Sequence, residues 1–331
     1  MNVRPAVWVA LLCAGAVWSY WSMIRMPGTS YSGALPPLTK EQQALQTALV
    51  EHVHELATTI GERNVFRPDA LAAAANYIEQ AFTAAGYTVE RQAYDVGDII
   101  CANLIVEIPG RTRPGEIVVV GAHYDTVRGS PGANDNASGM AAVLALARRW
   151  HGTKPDRTLR FVAFVNEEPP FFRTPRMGSV VYARRCAERG ENIVAMLTPE
   201  TIGYYSDERG SQRYPPPFSL FYPNRSDFIA VVGNWRSRAL VRRAVRTFRH
   251  TTDFPSEGAA PPGWIPGVGW SDHWAFWQQG YPGIMFTDTA PFRYPHYHRA
   301  TDTADQIDYD RFTRVVSGIH HVIQDLVHSD Q

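Results

Sequence analysis

Apolar runs that stop abruptly at polar clusters alternate along this chain with stretches whose apolar positions recur every three or four residues. Residues 117–122 are almost continuously apolar, as a strand covered on both faces must be, and 159–165 and 193–197 repeat the pattern. Shorter runs predict strands at 87–93, 103–108 and 284–287, with 214–223 and 228–232 as strands or sheet edges. Helical spacing predicts helices at 38–60, 68–85, 138–150, 178–189, 237–250 and 309–327. Strands alternating with helices imply one layered α/β domain over residues 39–331, without internal repeats. Its least regular part is 251–270, where Pro255, Pro261, Pro262, Gly263, Pro266, Gly267 and Gly269 predict a long loop. Such loops inside compact domains are usually functional or mobile.

Upstream, residues 26–38 are rich in Pro, Gly and Ser and read as a linker. Residues 6–24 form a 19-residue stretch without a charged side chain, long enough to cross a hydrocarbon core of about 30 Å. Arg4 and Arg25 flank it, and its apolar character continues through Trp18 and Trp21, past the small residues Ala14, Gly15 and Ala16. That continuation favours an uncleaved anchor over residues 1–25 rather than a cleaved signal. The domain would then lie outside the cytoplasmic membrane, with secretion after cleavage as the alternative. Cys13 falls in this stretch, which leaves Cys101 and Cys186 as one possible pair and no close cysteine spacing for a thiolate zinc site.

Charge narrows the partners. Lys+Arg and Asp+Glu each total 32 in 331 residues, so no global basic field speaks for nucleic acid, while small or peptidic substrates remain open. A hydrophobic content of 45% with 19% charged residues is that of a globular protein.

The candidate chemistry gathers where the strands run out, which is where open α/β sheets bind ligands. His123 and Asp125, Asp135, the pair Glu167 and Glu168, and Glu200 all fall at or near such ends, and His298 joins them from a polar loop near the C-terminus. Taken singly each has a bland reading: a polar turn, a helix N-cap at Asp135, a solvated strand end. Taken together they form a metal site. The carboxylate of Asp125 could take one ring N–H of His123 and fix its tautomer. Asp135 could give one oxygen to each of two cations. Glu167 and Glu168 point in different directions in extended structure, so one can ligate while the other serves as base. The aromatic wall expected from Phe171 and Phe172 would raise the pKa of that base. His296 and His273 compete with His298 and would face the ligands or the substrate. Each cation then receives one imidazole, one terminal carboxylate and a share of Asp135. Nitrogen and oxygen ligation without thiolate suits catalytic Zn²⁺, with Mn²⁺ or Co²⁺ as substitutes. Two ions about 3.5–4 Å apart allow amide hydrolysis without a protein nucleophile.

Rival constellations are weaker. His54-Glu55-Leu56-Ala57-Thr58 lacks the second histidine of a zincin helix. A Gly-x-Ser-x-Gly elbow, a P-loop and a dinucleotide fingerprint are all missing from the sequence.

The motifs Gly-Ala-His-Tyr-Asp-Thr, Gly-Ala-Asn-Asp-Asn-Ala-Ser-Gly, Asn-Glu-Glu, Glu-Thr-Ile-Gly-Tyr, Ser-Asp-His-Trp-Ala-Phe and Tyr-His-Arg-Ala-Thr-Asp-Thr occur in that order. Through them roughly residues 40–328 resemble the co-catalytic di-zinc aminopeptidases, the group of aminopeptidases Y and S, to which glutaminyl cyclases are related. The resemblance implies a mixed, mostly parallel sheet sandwiched between helices. It also implies a zinc held by His123, Asp135 and Glu200 and a second held by Asp135, Glu168 and His298. Glu167 would be the general base, Asp125 would orient His123, and Asp135–Asn136 is a candidate non-proline cis peptide. Asp272 and His273 match a family motif and would support the ligands or contact substrate. The chain departs from the family after Glu168, where Pro-Pro-Phe-Phe-Arg-Thr-Pro-Arg-Met-Gly-Ser replaces a shorter Gly-rich run. The implied activity is removal of N-terminal residues from peptides. The alternatives are a glutaminyl cyclase, a carboxypeptidase or amidohydrolase on the same scaffold, and a non-catalytic binding ectodomain.

Overall fold

The computed structural model describes residues 14, 15 and 17–328. Eight strands form one mixed sheet: β1 Glu90–Val96, β2 Ile99–Ile108, β3 Arg113–His123, β4 Arg157–Phe164, β5 Asn192–Glu200, β6 Ile229–Gly233, β7 Ser256–Ala259 and β8 Gly283–Thr287, in the order β1-β2-β4-β3-β5-β8-β6-β7. The central β4-β3-β5-β8 block is parallel, while β2 joins β4 and β6 joins β8 in antiparallel fashion. Successive side chains of β3 enter different cores. Val118, Val120 and Ala122 face one cluster, and Ile117 and Val119 face the other. This two-sided burial explains the unbroken apolar run at 117–122.

The larger core packs the sheet against α1 Lys40–His54, α2 Pro68–Ala84, α3 Gly139–Trp150, α5 Arg238–Thr251 and α8 Tyr309–His328. The smaller one is covered by α4 Gly178–Glu188 and α6 His273–Gln278, and a short α7, Ala290–Arg293, follows β8. Local chemistry starts the helices as expected. Thr39 and Gln42 form a reciprocal capping box at α1, and Pro68 opens α2. Helix α3 begins hard against β5: a Cβ on Gly139 would lie 2.2 Å from the Pro199 carbonyl oxygen. Only glycine fits that approach, which brings the 133–138 segment to the end of β5.

Several expectations shift. The first strand runs over Glu90–Val96 rather than 87–93 and turns into β2 through Gly97, whose φ is +62°. Residues 214–223 are not a strand. Pro215, Pro216 and Pro217 lack ladder donors, and the segment forms a loop with a single turn at Phe218–Leu220. The 251–270 loop contains an unexpected edge strand, β7, parallel to β6. The linker 26–38 lies on the domain: Met26 is buried, Ser30 Oγ accepts the Ser256 N–H at 2.9 Å, and the Pro36 carbonyl accepts from Arg314 at 2.5 Å. Cys101 and Cys186 are buried free thiols, so that pair is not formed. Tyr20–Ile24 makes a short π-helical turn, and among the described residues no helix is long and apolar enough to cross a membrane. Residues 1–13 and 16 of the expected anchor, 1–25, lie outside the described residues.

Candidate active site

Three parallel strands deliver their ends to one crevice. His123 is the last residue of β3, Glu167 and Glu168 follow the end of β4 after Val165 and Asn166, and Glu200 ends β5. Asp135 comes from the irregular segment before α3, where Asp135–Asn136 is a cis peptide as the resemblance implied. His298 reaches in from the loop after α7 with φ +58°, and Asn166 (φ +60°) and Thr201 (φ +46°) flank the glutamates in the same left-handed region. Left-handed backbone at non-glycine residues costs about 1–3 kcal/mol each, so the fold spends energy at these positions to aim the neighbouring side chains.

The side chains converge. His123 Nε2 lies 3.4 Å from Asp135 Oδ1 and 3.3 Å from Glu200 Oε2. His298 Nε2 lies 3.1 Å from Asp135 Oδ2 and 3.4 Å from Glu168 Oε2. Asp135 therefore turns one oxygen to each imidazole. Within His123, Asp135 and Glu200, and again within Asp135, Glu168 and His298, one candidate ligand atom per residue lies within 4.8 Å of the others. Glu167 belongs to neither trio, and its Oε2 is 4.0 Å from His123 Nε2.

Asp125 stands beside His123 and has a second task. His123 Nδ1 is 3.2 Å from the main-chain oxygen of Asp125 and 3.5 Å from its carboxylate. The carboxylate also accepts the N–H of Glu167 and that of Glu168, each at 3.1 Å. It clamps the turn that presents both glutamates.

The electrostatics call for cations. Asp125, Asp135, Glu167, Glu168, Glu200 and Asp272 are all buried around two imidazoles. Burial pushes Glu168 up to about 7, with the Asp135 charge adding to it, and pushes Glu167 well above the usual carboxylate range. Burial works against a charged His298, yet Asp135 and Glu168 raise it to about 10. Protons thus gather where metal charge would otherwise sit. Among the described residues, His123 Nε2 and Glu168 Oε1 are buried without a hydrogen-bond partner, as atoms meant for a metal would be. The nitrogen and oxygen donors fit zinc.

The outer expectations fare unevenly. His273 is buried with Nε2 2.8 Å from the Val268 carbonyl and its ring edge-on to Trp277. It supports the 251–270 loop. His296 bonds to Thr301 at an exposed position. Asp272 is buried beside the site, and burial raises it to about 7. An apolar cavity opens beside Glu200 and Tyr297, lined by Tyr222, Phe228, Ile265, Met285 and Phe292. Phe171 and Phe172 do not line it. Turns after Glu168 fold that strap away, and Arg173 ties it to the Gly269 carbonyl at 2.8 Å while lying over Phe172 and Trp274.

Residues 103–323 match the profile of Peptidase family M28. The chain belongs to this family. It is 37% identical over 295 residues to the protein YfbL of Escherichia coli, covering 86% of this chain and 89% of that one. It is 26% identical to Leucine aminopeptidase 1 of Arthroderma otae, covering 63% of this chain and 53% of that protein, so it spans about half that relative's length. The zinc aminopeptidase BSAP of Bacillus subtilis superposes with a TM-score of 0.68 at 16% identity, covering 86% of this chain and 95% of that one. That likeness is one of fold.

Within this M28 chain no sequence pattern marked the residues behind the candidate ligands. Asn136 and Ser271 donate to Glu200 Oε2 at 3.1 and 2.7 Å. Arg63 is fully buried and donates to the carbonyls of Leu56, Gly61, Tyr124, Pro131 and Gly132 at 2.6–3.0 Å. It ties the end of β3 to the segment entering Asp135. An arginine in a short polar stretch between helices carries no periodic signal, so nothing in the pattern marked it.

Proposed function

We propose that this chain is an aminopeptidase that holds two zinc ions and removes N-terminal residues from peptides. The observation that carries the reading is the two-sided placement of Asp135 between His123 and His298. His123, Asp135 and Glu200 would hold one ion, and Asp135, Glu168 and His298 the other, with Mn²⁺ or Co²⁺ compatible with the same donors. When bound, the ions supply Lewis-acid assistance to the scissile carbonyl and acidify the attacking water.

Glu167 is the base. It stands outside both trios, beside His123, and its burial holds its proton affinity high enough to take a proton from water and return one to the leaving amine. Asp125 keeps it in place through its main-chain N–H. The cavity beside Glu200 and Tyr297 suits an apolar first side chain. The identity to a leucine aminopeptidase supports this reading. The uncharged stretch 6–24 would tether the domain to the outer face of the membrane.

The test is full-length protein loaded with zinc, a defined peptide mixture and mass spectrometry. Chelator-sensitive loss of single N-terminal residues is expected. Loss from the other terminus would make it a carboxypeptidase, loss of ammonia or water from peptides starting with Gln or Glu a cyclase, and unchanged peptides a binding domain. Resistance to carbonate extraction tests the tether.

A further inference from the structure

Exposed aromatic and aliphatic side chains form a collar beside the apolar cavity: Trp270 is part of its lining, and Trp264, Leu220 and Phe221 are near neighbours in the chain of the lining residues Ile265, Phe218 and Tyr222. Trp18 (58% exposed), Trp21 (55%), Leu220 (79%), Phe221 (46%), Trp264 (82%) and Trp270 (41%) are the main ones. They belong to one surface. Trp18 stacks on Trp235 with centroids 4.9 Å apart, Tyr20 packs on Phe221 at 5.7 Å, and the Ala260 N–H bonds to the Met23 carbonyl. A Cβ on Gly263 would lie 3.5 Å from Asn234, which sets Trp264 next to the Trp235 segment. Trp270 stacks on Phe292 in the cavity wall. Contiguous apolar patches of this kind mark an interaction site.

Arginines are interleaved with the rings. Arg25 lies over Trp21 at 4.8 Å and Arg238 over Trp235 at 4.3 Å, Arg242 donates to the Arg25 carbonyl, and Arg236 is exposed between them. Tryptophan and tyrosine with arginine is the composition that sits at the boundary between headgroups and acyl chains.

We propose that this collar is a lipid-docking surface, which seats the folded domain on an anionic bilayer so that the cavity opens at the membrane. Two observations select lipid. The collar is continuous with the uncharged stretch 6–24, whose last residues form one side of it. Its arginines complement anionic headgroups, whereas a symmetric contact with a second copy would bring Arg25, Arg236 and Arg238 against an identical set. The inference extends the tether reading from a segment to the domain and does not depend on the hydrolytic reading.

The test uses full-length Cys13→Ser protein with Leu220→Cys carrying an environment-sensitive dye, since Cys101 and Cys186 are buried. The control places the dye at Ile100→Cys, which is 74% exposed near the opposite edge of the sheet. Mixed with phosphatidylcholine vesicles containing phosphatidylglycerol, the dye at 220 should shift to the blue and the dye at 100 should not. Arg236→Glu with Arg238→Glu should weaken the shift, as should omission of phosphatidylglycerol. Protein that floats with the vesicles but leaves the dye at 220 unshifted is tethered without docking, which overturns the proposal. Protein that does not float defeats the tether and the collar together, while peptide hydrolysis still reports on the enzyme. A blue dye without vesicles means that the chain itself, or at rising concentration a second copy, already covers the patch, and this too overturns it.

Discussion

The Asp302 carboxylate accepts the main-chain N–H of Asp135 at 3.1 Å and that of Asn134 at 2.8 Å. Its loop also supplies His298, so one short segment delivers an imidazole to Asp135 and holds the backbone of that residue. Tyr294 donates a further 2.7 Å bond to the same carboxylate. Asp302→Ala should therefore weaken metal binding about 10–100-fold, as loss of groups that orient ligands commonly does. Titration of the metal-free variant with zinc measures this, and unchanged affinity would show that Asp135 needs no such support.

Glu167 offers a cleaner separation of binding from chemistry. Glu167→Gln retains the shape and leaves both trios intact, so zinc content should match the parent. Turnover should fall by roughly 10²–10⁴, the usual contribution of a positioned base. Near-normal turnover would reassign the base.

Chelation should destabilise the fold as well as silence it. Ligand at 1,000 times its dissociation constant adds about 4 kcal/mol, and here it also relieves repulsion among buried carboxylates. Calorimetry should show a melting temperature that drops with chelator and returns with zinc. In Asp135→Asn the zinc-dependent rise should shrink sharply, because both proposed sites would lose their shared ligand.

Arg63→Met should cost about 3 kcal/mol or more, because the carbonyls of Gly61, Tyr124 and Pro131 would lose their donor at about 1–3 kcal/mol each. Those of Leu56 and Gly132 keep the N–H groups of Gly61 and Ala137. Urea melts of the metal-free protein isolate this effect from metal binding.

Acid should weaken the fold through histidines that are buried neutral. Burial lowers His273 to about 4, and burial followed by the Arg148 charge lowers His52 to about 4. Their unfolded value is about 6.5, so between these limits the unfolded chain binds more protons. The stability they contribute is full above pH 6.5 and declines as pH falls toward 4, each adding at most about one proton to the slope. His52→Gln should flatten the dependence of unfolding free energy on pH over that window. An unchanged slope would mean that His52 does not carry it.

Three of the candidate ligands were legible because they sit where an apolar run ends, and strand ends in a parallel sheet meet at one place, whereas Asp135 and His298 come from irregular segments. His123, Glu168 and Glu200 needed only that rule, together with motif order. The residues behind them obey no comparable rule. Asp302, Asn136 and Arg63 act through main-chain groups or neighbouring side chains contributed by distant segments, and contacts of that range leave no spacing in the sequence. Asp125 shows the same limit. Its place two residues after His123 suggested an imidazole partner, and its carboxylate does lie 3.5 Å from Nδ1, but its two bonds to the main chain of Glu167 and Glu168 left no sign in the spacing. Phe171 and Phe172 were expected as an aromatic wall beside the glutamates because they follow Glu168; two turns and the Arg173 tie keep them out of the apolar cavity's lining.

The clamp of Asp125 on the two glutamates has a bearing on how this enzyme's repertoire can change. The pair is fixed from behind, by a carboxylate lying upstream of the proline-rich strap. Length and composition beyond Pro169 can then drift without loosening the chemistry. Changes in the strap would be felt at the 251–270 loop, which Arg173 reaches at Gly269, while the turn that presents the glutamates stays as it is.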